Sequence, residues 1–307
     1  MHTLWRGNAN AWECDELGHL NVRFYIAKAA EAAGALADRI GMRQAFTRRA
    51  VSTLIARELT VRFLAEARPG SPLAIRGGVT AHDETSLQAV LILDHCARGA
   101  PAATFTVRLD HADPVTGKAF PWSSRTREAL EALTTDAPAE AKARSLSLEP
   151  GEQNVSLERA GALGMKPLGL GRINADEVDV FGRMRPEFAI AKVSDSFIHL
   201  HGVFPEQWAA HVSGENPASA VAVLEARILF HHFPLAGQGY DIRSGLAAAT
   251  SNVRTIVHWA FDTHKGAPLW TMQVVGGLID LKTRRLTPTD PQMLEAMKAG
   301  IIEDLRP

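Results

Sequence analysis

The chain has 307 residues, 46% of them hydrophobic and 22% charged, with a formal net charge of −1. That is a folding chain with room for two domains of roughly 100–150 residues each, and neither a disordered chain nor the basic surface of a nucleic-acid binder. Two cysteines, Cys14 and Cys96, cannot make a disulfide framework, and neither sits in a CxxC pair.

From the start of the chain, Thr3 to Glu13 reads as a strand and Asp15-Glu16-Leu17-Gly18 as a turn. Apolar residues then recur at Val22, Tyr25, Ile26, Ala29, Ala33, Leu36, Ala37 and Ile40, the spacing of a helix with one broad buried stripe. Asn21 is placed to cap it and Gly41 to end it. Strand-like runs follow near Ser52–Ala65, Leu73–His82, Ser86–Ala97 and Ala102–His111. Their connections are too short for parallel crossovers, so the sheet is expected to be antiparallel. SSRTREALEAL then reads as helical, within a polar connector over 123–164.

The second half repeats the first. Gly7, Asn10, Ala11, Glu13, Asp15 and Gly18 match Gly171, Asn174, Ala175, Glu177, Asp179 and Gly182, each pair 164 apart. Beyond Glu58, which matches Glu225, the offset is 167 and includes Gly99-Ala100-Pro101 against Gly266-Ala267-Pro268. Three extra residues are therefore expected in the second copy, in a loop over 205–220. Its helix is expected to start at Pro186 and to carry the stripe through Ile190, Val193, Phe197, Leu200 and Phe204. PTDPQMLEAMKAG near the end resembles the helix of the connector. The expected fold class is α+β, with domains at 1–122 and 165–307 joined by 123–164.

The segment Glu13-Cys14-Asp15-Glu16-Leu17-Gly18-His19-Leu20-Asn21-Val22-Arg23-Phe24-Tyr25 resembles the D-x-x-G-H-V-N-N-x-x-Y signature of hotdog thioesterases. Asp15, Gly18, His19, Asn21 and Tyr25 fall on the pattern, whereas Val22 replaces its second asparagine. The resemblance implies two fused hotdog domains, each an antiparallel sheet wrapped around a long central helix. It implies hydrolysis of an acyl-CoA or acyl-carrier thioester without a cofactor. Asp15 would be the nucleophile or general base, and the Val22 amide the oxyanion donor. A helix N-terminus has unpaired N–H groups and positive partial charge, which suits that role. His19 is expected to bind or polarise the substrate, Gly18 to let it approach the backbone, and Asn21 to cap the helix or contact substrate. On its own, Asp15 also reads as an ordinary turn residue. Tyr25 reads as core packing.

In copy two, Asp179 and Gly182 remain, but His19, Asn21, Val22 and Tyr25 become Arg183, Arg185, Pro186 and Ala189. Proline has no N–H, so that copy lacks the oxyanion donor. One working site is expected, in copy one, with Arg183 and Arg185 either binding an anionic group of the ligand or solvated. Glu58 and Glu225 are candidate bases or strand-end carboxylates. No histidine pair has metal-ligand spacing: His231-His232 are adjacent, and His199 and His201 fall in the predicted helix. No metal is expected. Without a leader or an apolar span, the expected partners include no membrane or nucleic acid, the location is cytoplasmic, and a homodimer of fused pairs is anticipated. Two rival readings are a hotdog hydratase and a non-catalytic acyl-thioester sensor. Asp15 and His19 lie too close together for the hydratase, and its Asn-Pro is missing.

Overall fold

The computed structural model describes residues 1–214 and 218–307. Its strands are β1 (His2–Asn8), β2 (Thr53–Phe63), β3 (Pro72–His82), β4 (Ser86–His95) and β5 (Ala100–Ala112), then β6 (Lys166–Arg172), β7 (Ser219–Phe230), β8 (Gly239–Ala249), β9 (Arg254–Asp262) and β10 (Pro268–Asp280). The helices are α1 (Val22–Arg39), α2 (Ser124–Ala132), α3 (Leu157–Ala162), α4 (Glu187–Ser196), α5 (Pro205–Ser213) and α6 (Pro291–Lys298). The chain forms two compact units, one of residues 1–144 with 175–188, the other of 145–174 with 189–307. The opening turn of the second repeat thus belongs to the first unit. The connector does not stand apart, since part of it lies in each unit.

In the first unit the strand order is β1-β3-β4-β5-β2, antiparallel throughout. α1 packs on β1, β3 and β4 of this sheet, burying Tyr25, Ile26, Ala29, Ala32, Ala33, Leu36 and Ala37. Four alanines in that face let the helix lie close to the strands. The first strand is shorter than expected and stops at Asn8. Asn10 N–H donates to the Glu13 carboxylate at 2.9 Å, and Glu13 N–H to the Asn10 carbonyl, so residues 11–13 close into a 3₁₀ turn.

In the second unit the order is β7-β10-β9-β8-β6, again antiparallel. Here the long helix is not continuous. It starts at Glu187, one residue after Pro186, and ends at Ser196, followed by a 3₁₀ turn over Phe197–His199. Ser194, Asp195 and Ser196 carry side chains that compete for backbone hydrogen bonds, which weakens a helix there. His199 therefore closes a 3₁₀ turn and His201 lies beyond it. The expected loop over 205–220 begins with α5, which starts on Pro205; residues 215–217 of it lie outside the described residues. Arg254, 1% exposed, ties α5 to the sheet: its guanidinium donates to Glu206 at 2.6 Å and Thr289 at 3.1 Å and lies over the Phe204 ring.

Each sheet is crossed by the chain that follows its fifth strand. A Cβ on Gly78 would come within 2.7 Å of Thr135, and one on Gly245 within 2.7 Å of Ile302 and Leu305. Glycine is what allows the crossing, and Val79 and Leu246 then bridge to Thr134 and Ile301. On this face of the second sheet Val257, Trp259 and Phe261 pack with Ala160, Met165 and Leu305. The Trp259 indole N–H donates to the Arg306 carbonyl at 2.8 Å.

Glu58 and Glu225 lie in mid-strand, not at strand starts. Buried Glu225 accepts the N–H groups of Ser145 and Leu146 at 3.0 and 3.2 Å, and Arg227 donates to the carbonyls of Ser147 and Glu149. Glu225 thus straps the connector onto the sheet.

Candidate active site

The turn before α1 is built locally. Asp15 N–H donates to the His19 carbonyl at 2.8 Å, and Gly18 N–H to the Asp15 carbonyl at 3.0 Å. Gly18 has a φ of 75°, a left-handed conformation that glycine adopts without a Cβ penalty. Half-buried Asp15 uses one carboxylate oxygen, Oδ1, to accept the N–H groups of Leu17 at 3.0 Å and His19 at 3.1 Å. Its Oδ2 has no partner among the described residues. The bland and the chemical readings of Asp15 therefore use different oxygens of one carboxylate.

Asn21 is the N-cap of α1, its side-chain oxygen accepting Arg23 N–H at 3.0 Å. Phe24 N–H donates to the Asn21 carbonyl. The Val22 N–H, at the first helical position, takes no acceptor among the described residues. It is the free amide at the positive end of the helix.

His19 does not cap local backbone. It is buried, with Nε2 3.1 Å from the carboxylate of Glu66, in the connection after β2. Tyr25 fixes that connection. Its hydroxyl donates to the Ala65 carbonyl at 3.1 Å and accepts Ala67 N–H at 3.2 Å, while Leu20 N–H donates to the Ala67 carbonyl at 2.8 Å. Burial pushes the phenol up to about 12, and the negative charges of Glu66 and Asp15 push the same way, so it stays a donor. The ring also packs edge-on against Phe63. Tyr25 is core and staple at once. Tyr25→Phe is expected to cost about 1–3 kcal/mol, because a buried N–H and C=O lose their partner; the shift in urea midpoint measures it.

Behind the turn, Lys28 lies within the buried face of α1 and donates to both oxygens of the Glu13 carboxylate at 2.8 Å. Glu13 also accepts Asn21 N–H through its carbonyl. This pair holds the strand end, the turn and the helix in one register. Cys14 is no nucleophile in this setting. Burial first, then the charges of Asp15 and Glu13, push its thiol up, and a thiol above its usual range yields little thiolate. Trp12 is 79% exposed and is not part of the core.

The turn of the second repeat has the same backbone, with Gly182 at φ 79° and Asp179 Oδ1 accepting the N–H groups of Phe181 and Arg183 at 2.8 and 3.0 Å. Its chemistry is different. Asp179 Oδ2 is taken by the Arg183 guanidinium, at 3.2 Å from Nε and 3.1 Å from Nη2. Arg185 donates to the Asp176 carbonyl at 3.1 Å, and its Nε lies 3.3 Å from Glu187. Both arginines thus have acceptors of their own. The positions of Tyr25 and Glu66 are held by Ala189 and Phe233.

Sequence reading placed Asp15, Gly18, His19, Asn21 and Val22 together, and they share one turn. It passed over Glu66 and the Glu13–Lys28 pair. Lys28 left a signal, being a charge inside an apolar stripe that recurs 164 residues later as buried Lys192.

Comparison with known proteins bears on the family and the fold. The family model of the thioesterase-like superfamily matches residues 9–130 and 173–297, one segment per repeat. Among solved structures, a 12:0-ACP thioesterase from Umbellularia californica is similar with a TM-score of 0.68 at 9% identity, covering 89% of this chain and 93% of that one. An acyl-ACP thioesterase from Bacteroides thetaiotaomicron gives 0.62 at 11% identity, covering 89% and 96%. Likeness at such low identity establishes the fold, which is two fused hotdog domains. No curated protein matches the chain in sequence.

Proposed function

The chain belongs to the thioesterase-like superfamily, whose chemistry is thioester hydrolysis, and from that premise we propose that it cleaves an acyl-CoA or acyl-carrier thioester at the opening turn of α1. The observation that carries this is a carboxylate oxygen, Asp15 Oδ2, in the same turn as a helix amide, Val22 N–H, neither of which has a partner among the described residues.

The substrate carbonyl oxygen accepts from Val22 N–H, where the helix dipole favours the negative charge that develops on it. Asp15 Oδ2 takes a proton from water as the water oxygen bonds to the carbonyl carbon, or attacks that carbon itself to give an acyl-enzyme that water then opens. Either way the C–S bond breaks, the sulfur leaves as thiolate and recovers the proton, and the sum is thioester plus water to acid plus thiol. His19 orients the substrate or the water, its ring set by Glu66. Arg183 and Arg185 of the second repeat remain candidates for an anionic group of the carrier only by moving off Asp179 and Asp176, so the reading does not depend on them. No metal or cofactor takes part.

A panel of acyl-CoA and acyl-carrier thioesters, followed by thiol release, tests the proposal. Free thiol and free acid are expected in equal amounts, with turnover depending on the acyl group. Binding without release would make the chain a sensor, and water addition to an enoyl thioester would make it a hydratase. Either result would replace the proposal.

A further inference from the structure

A cation stands next to the proposed site without a counter-ion. Arg23 is the second residue of α1, directly after Val22. Its guanidinium lies 4.1 Å from the centre of the Phe188 ring and 4.8 Å from that of Phe24, so the side chain is packed against two rings and does not sweep through solvent. Its Nε is buried without a hydrogen-bond partner, and the guanidinium enters no hydrogen bond or ion pair among the described residues. The arginines of the second turn are committed. Arg183 lies on Asp179, and Arg185 has the Asp176 carbonyl and, 3.3 Å from its Nε, the Glu187 carboxylate. Nor does the fold require a cation at position 23. Its equivalent in the repeat is Glu187, as Phe188 is that of Phe24, so the copy without an amide to offer carries the opposite charge there.

We propose that Arg23 is a specificity-determining residue that binds a second anionic group on the acyl part of the substrate, so that the preferred substrates are thioesters of dicarboxylic acids. A half-buried guanidinium without an anion beside it is unfavourable, and a carboxylate relieves it through charge-assisted hydrogen bonds in the forked geometry that arginine offers. Side chains on a helix tilt toward its N-terminus, which brings Arg23 toward the end where the Val22 amide holds the thioester carbonyl. The anion belongs to the acyl part for a reason of length. The first phosphate of CoA or of an acyl carrier is separated from the sulfur by the whole pantetheine arm, which when extended is longer than the reach of a side chain rooted one residue from the carbonyl. A carboxylate a few methylenes from the thioester is within that reach. The inference rests on the reading of the Val22 amide as the oxyanion donor.

Steady-state kinetics of the full chain test it, with glutaryl-CoA and adipyl-CoA each set against the neutral thioester of the same length, pentanoyl-CoA and hexanoyl-CoA. The wild type is expected to favour the dicarboxylate member of each pair by about 10–100-fold in kcat/KM, the worth of a hydrogen bond to a charged group. In Arg23→Met, whose stem still covers the rings but carries no charge, the two members should come to near parity. A wild type that favours the neutral chains, or a preference that survives in Arg23→Met, would overturn the inference. Should Arg23→Met fail to fold, Arg23→Gln is read by the same ratio. The series repeated with pantetheine thioesters, which have no phosphate, separates the two sources of anion. The preference should persist there. If Arg23→Met instead raises KM for every CoA thioester alike and for no pantetheine thioester, Arg23 holds a carrier phosphate and the inference falls. If the wild type releases no thiol from any thioester, the proposed function falls and this inference with it. If the neutral thioesters turn over and the dicarboxylate ones do no better, this inference alone falls.

Discussion

Asp15→Asn is expected to lower thiol-release turnover by roughly 10²–10⁴-fold, the usual contribution of a positioned base, while Asp179→Asn leaves it within about twofold. The two aspartates are a matched pair, so the comparison isolates one oxygen. Both use Oδ1 to close the same turn, Asp15 through Leu17 and His19 and Asp179 through Phe181 and Arg183. Asparagine retains a carbonyl oxygen for that purpose, so neither turn should open, and urea midpoints should move little for Asp15→Asn. The difference lies at Oδ2. In Asp15 it has no partner among the described residues, and the Val22 N–H that shares its turn has none among them either; in Asp179 it is neutralised by Arg183, and the residue at the place of Val22 is Pro186, which has no N–H to give. Steady-state kinetics of both variants on the best substrate of the panel decides the matter. Equal losses would mean that both turns work, and an unaffected Asp15→Asn would mean that neither does.

What could be read from the chain was what is local or periodic. The turn from Asp15 to Asn21 closes within seven residues, and apart from Leu20 N–H, which donates to the distant Ala67 carbonyl, its backbone hydrogen bonds are set by short-range geometry, so a motif was enough. The repeat was legible too, and its two offsets reappear as bonds: Gly70 N–H to the Ala9 carbonyl in one copy is Gly237 N–H to the Ile173 carbonyl in the other. Glu66 could not be found this way. It reaches His19 only because β2 returns to the start of α1, and nothing in its neighbours Ala65 and Ala67 announces that their backbone is gripped by Tyr25. The second helix was misread for a different reason. Apolar spacing continues through Phe197, Leu200 and Phe204, but hydrophobic period does not report the backbone competition of Ser194, Asp195 and Ser196. In turn, α5 was hidden by the Gly, Asn, Pro and Ser residues just beyond it.

Replacing Ser244 and His258 together by the residues of the other repeat should make the protein markedly less sensitive to acid. His258 on β9 faces Ser244 on β8, with Ser244 Oγ 2.7 Å from Nδ1, and it is fully buried. Burial pushes its pKa from 6.5 to about 3. The first repeat has Gly77 and Leu91 at these places, where a Cβ on the glycine would come within 2.6 Å of the leucine side chain. Leucine at 258 therefore needs glycine at 244, and the exchange must be made as a pair. The unfolded chain takes up a proton on this histidine near pH 6.5, whereas the folded chain resists until near pH 3. The folded state is thus fully favoured by this group above pH 6.5 and loses about 1.4 kcal/mol for each unit below it, on the order of 5 kcal/mol in all. Urea unfolding followed by tryptophan fluorescence at pH 7.5 and 4.5 measures the slope. Between those two points the wild type should lose about 3 kcal/mol more stability than Ser244→Gly/His258→Leu. The same pH dependence in both proteins would show that His258 becomes charged within the fold, by opening that part of the sheet to water, and that its burial does not resist protonation.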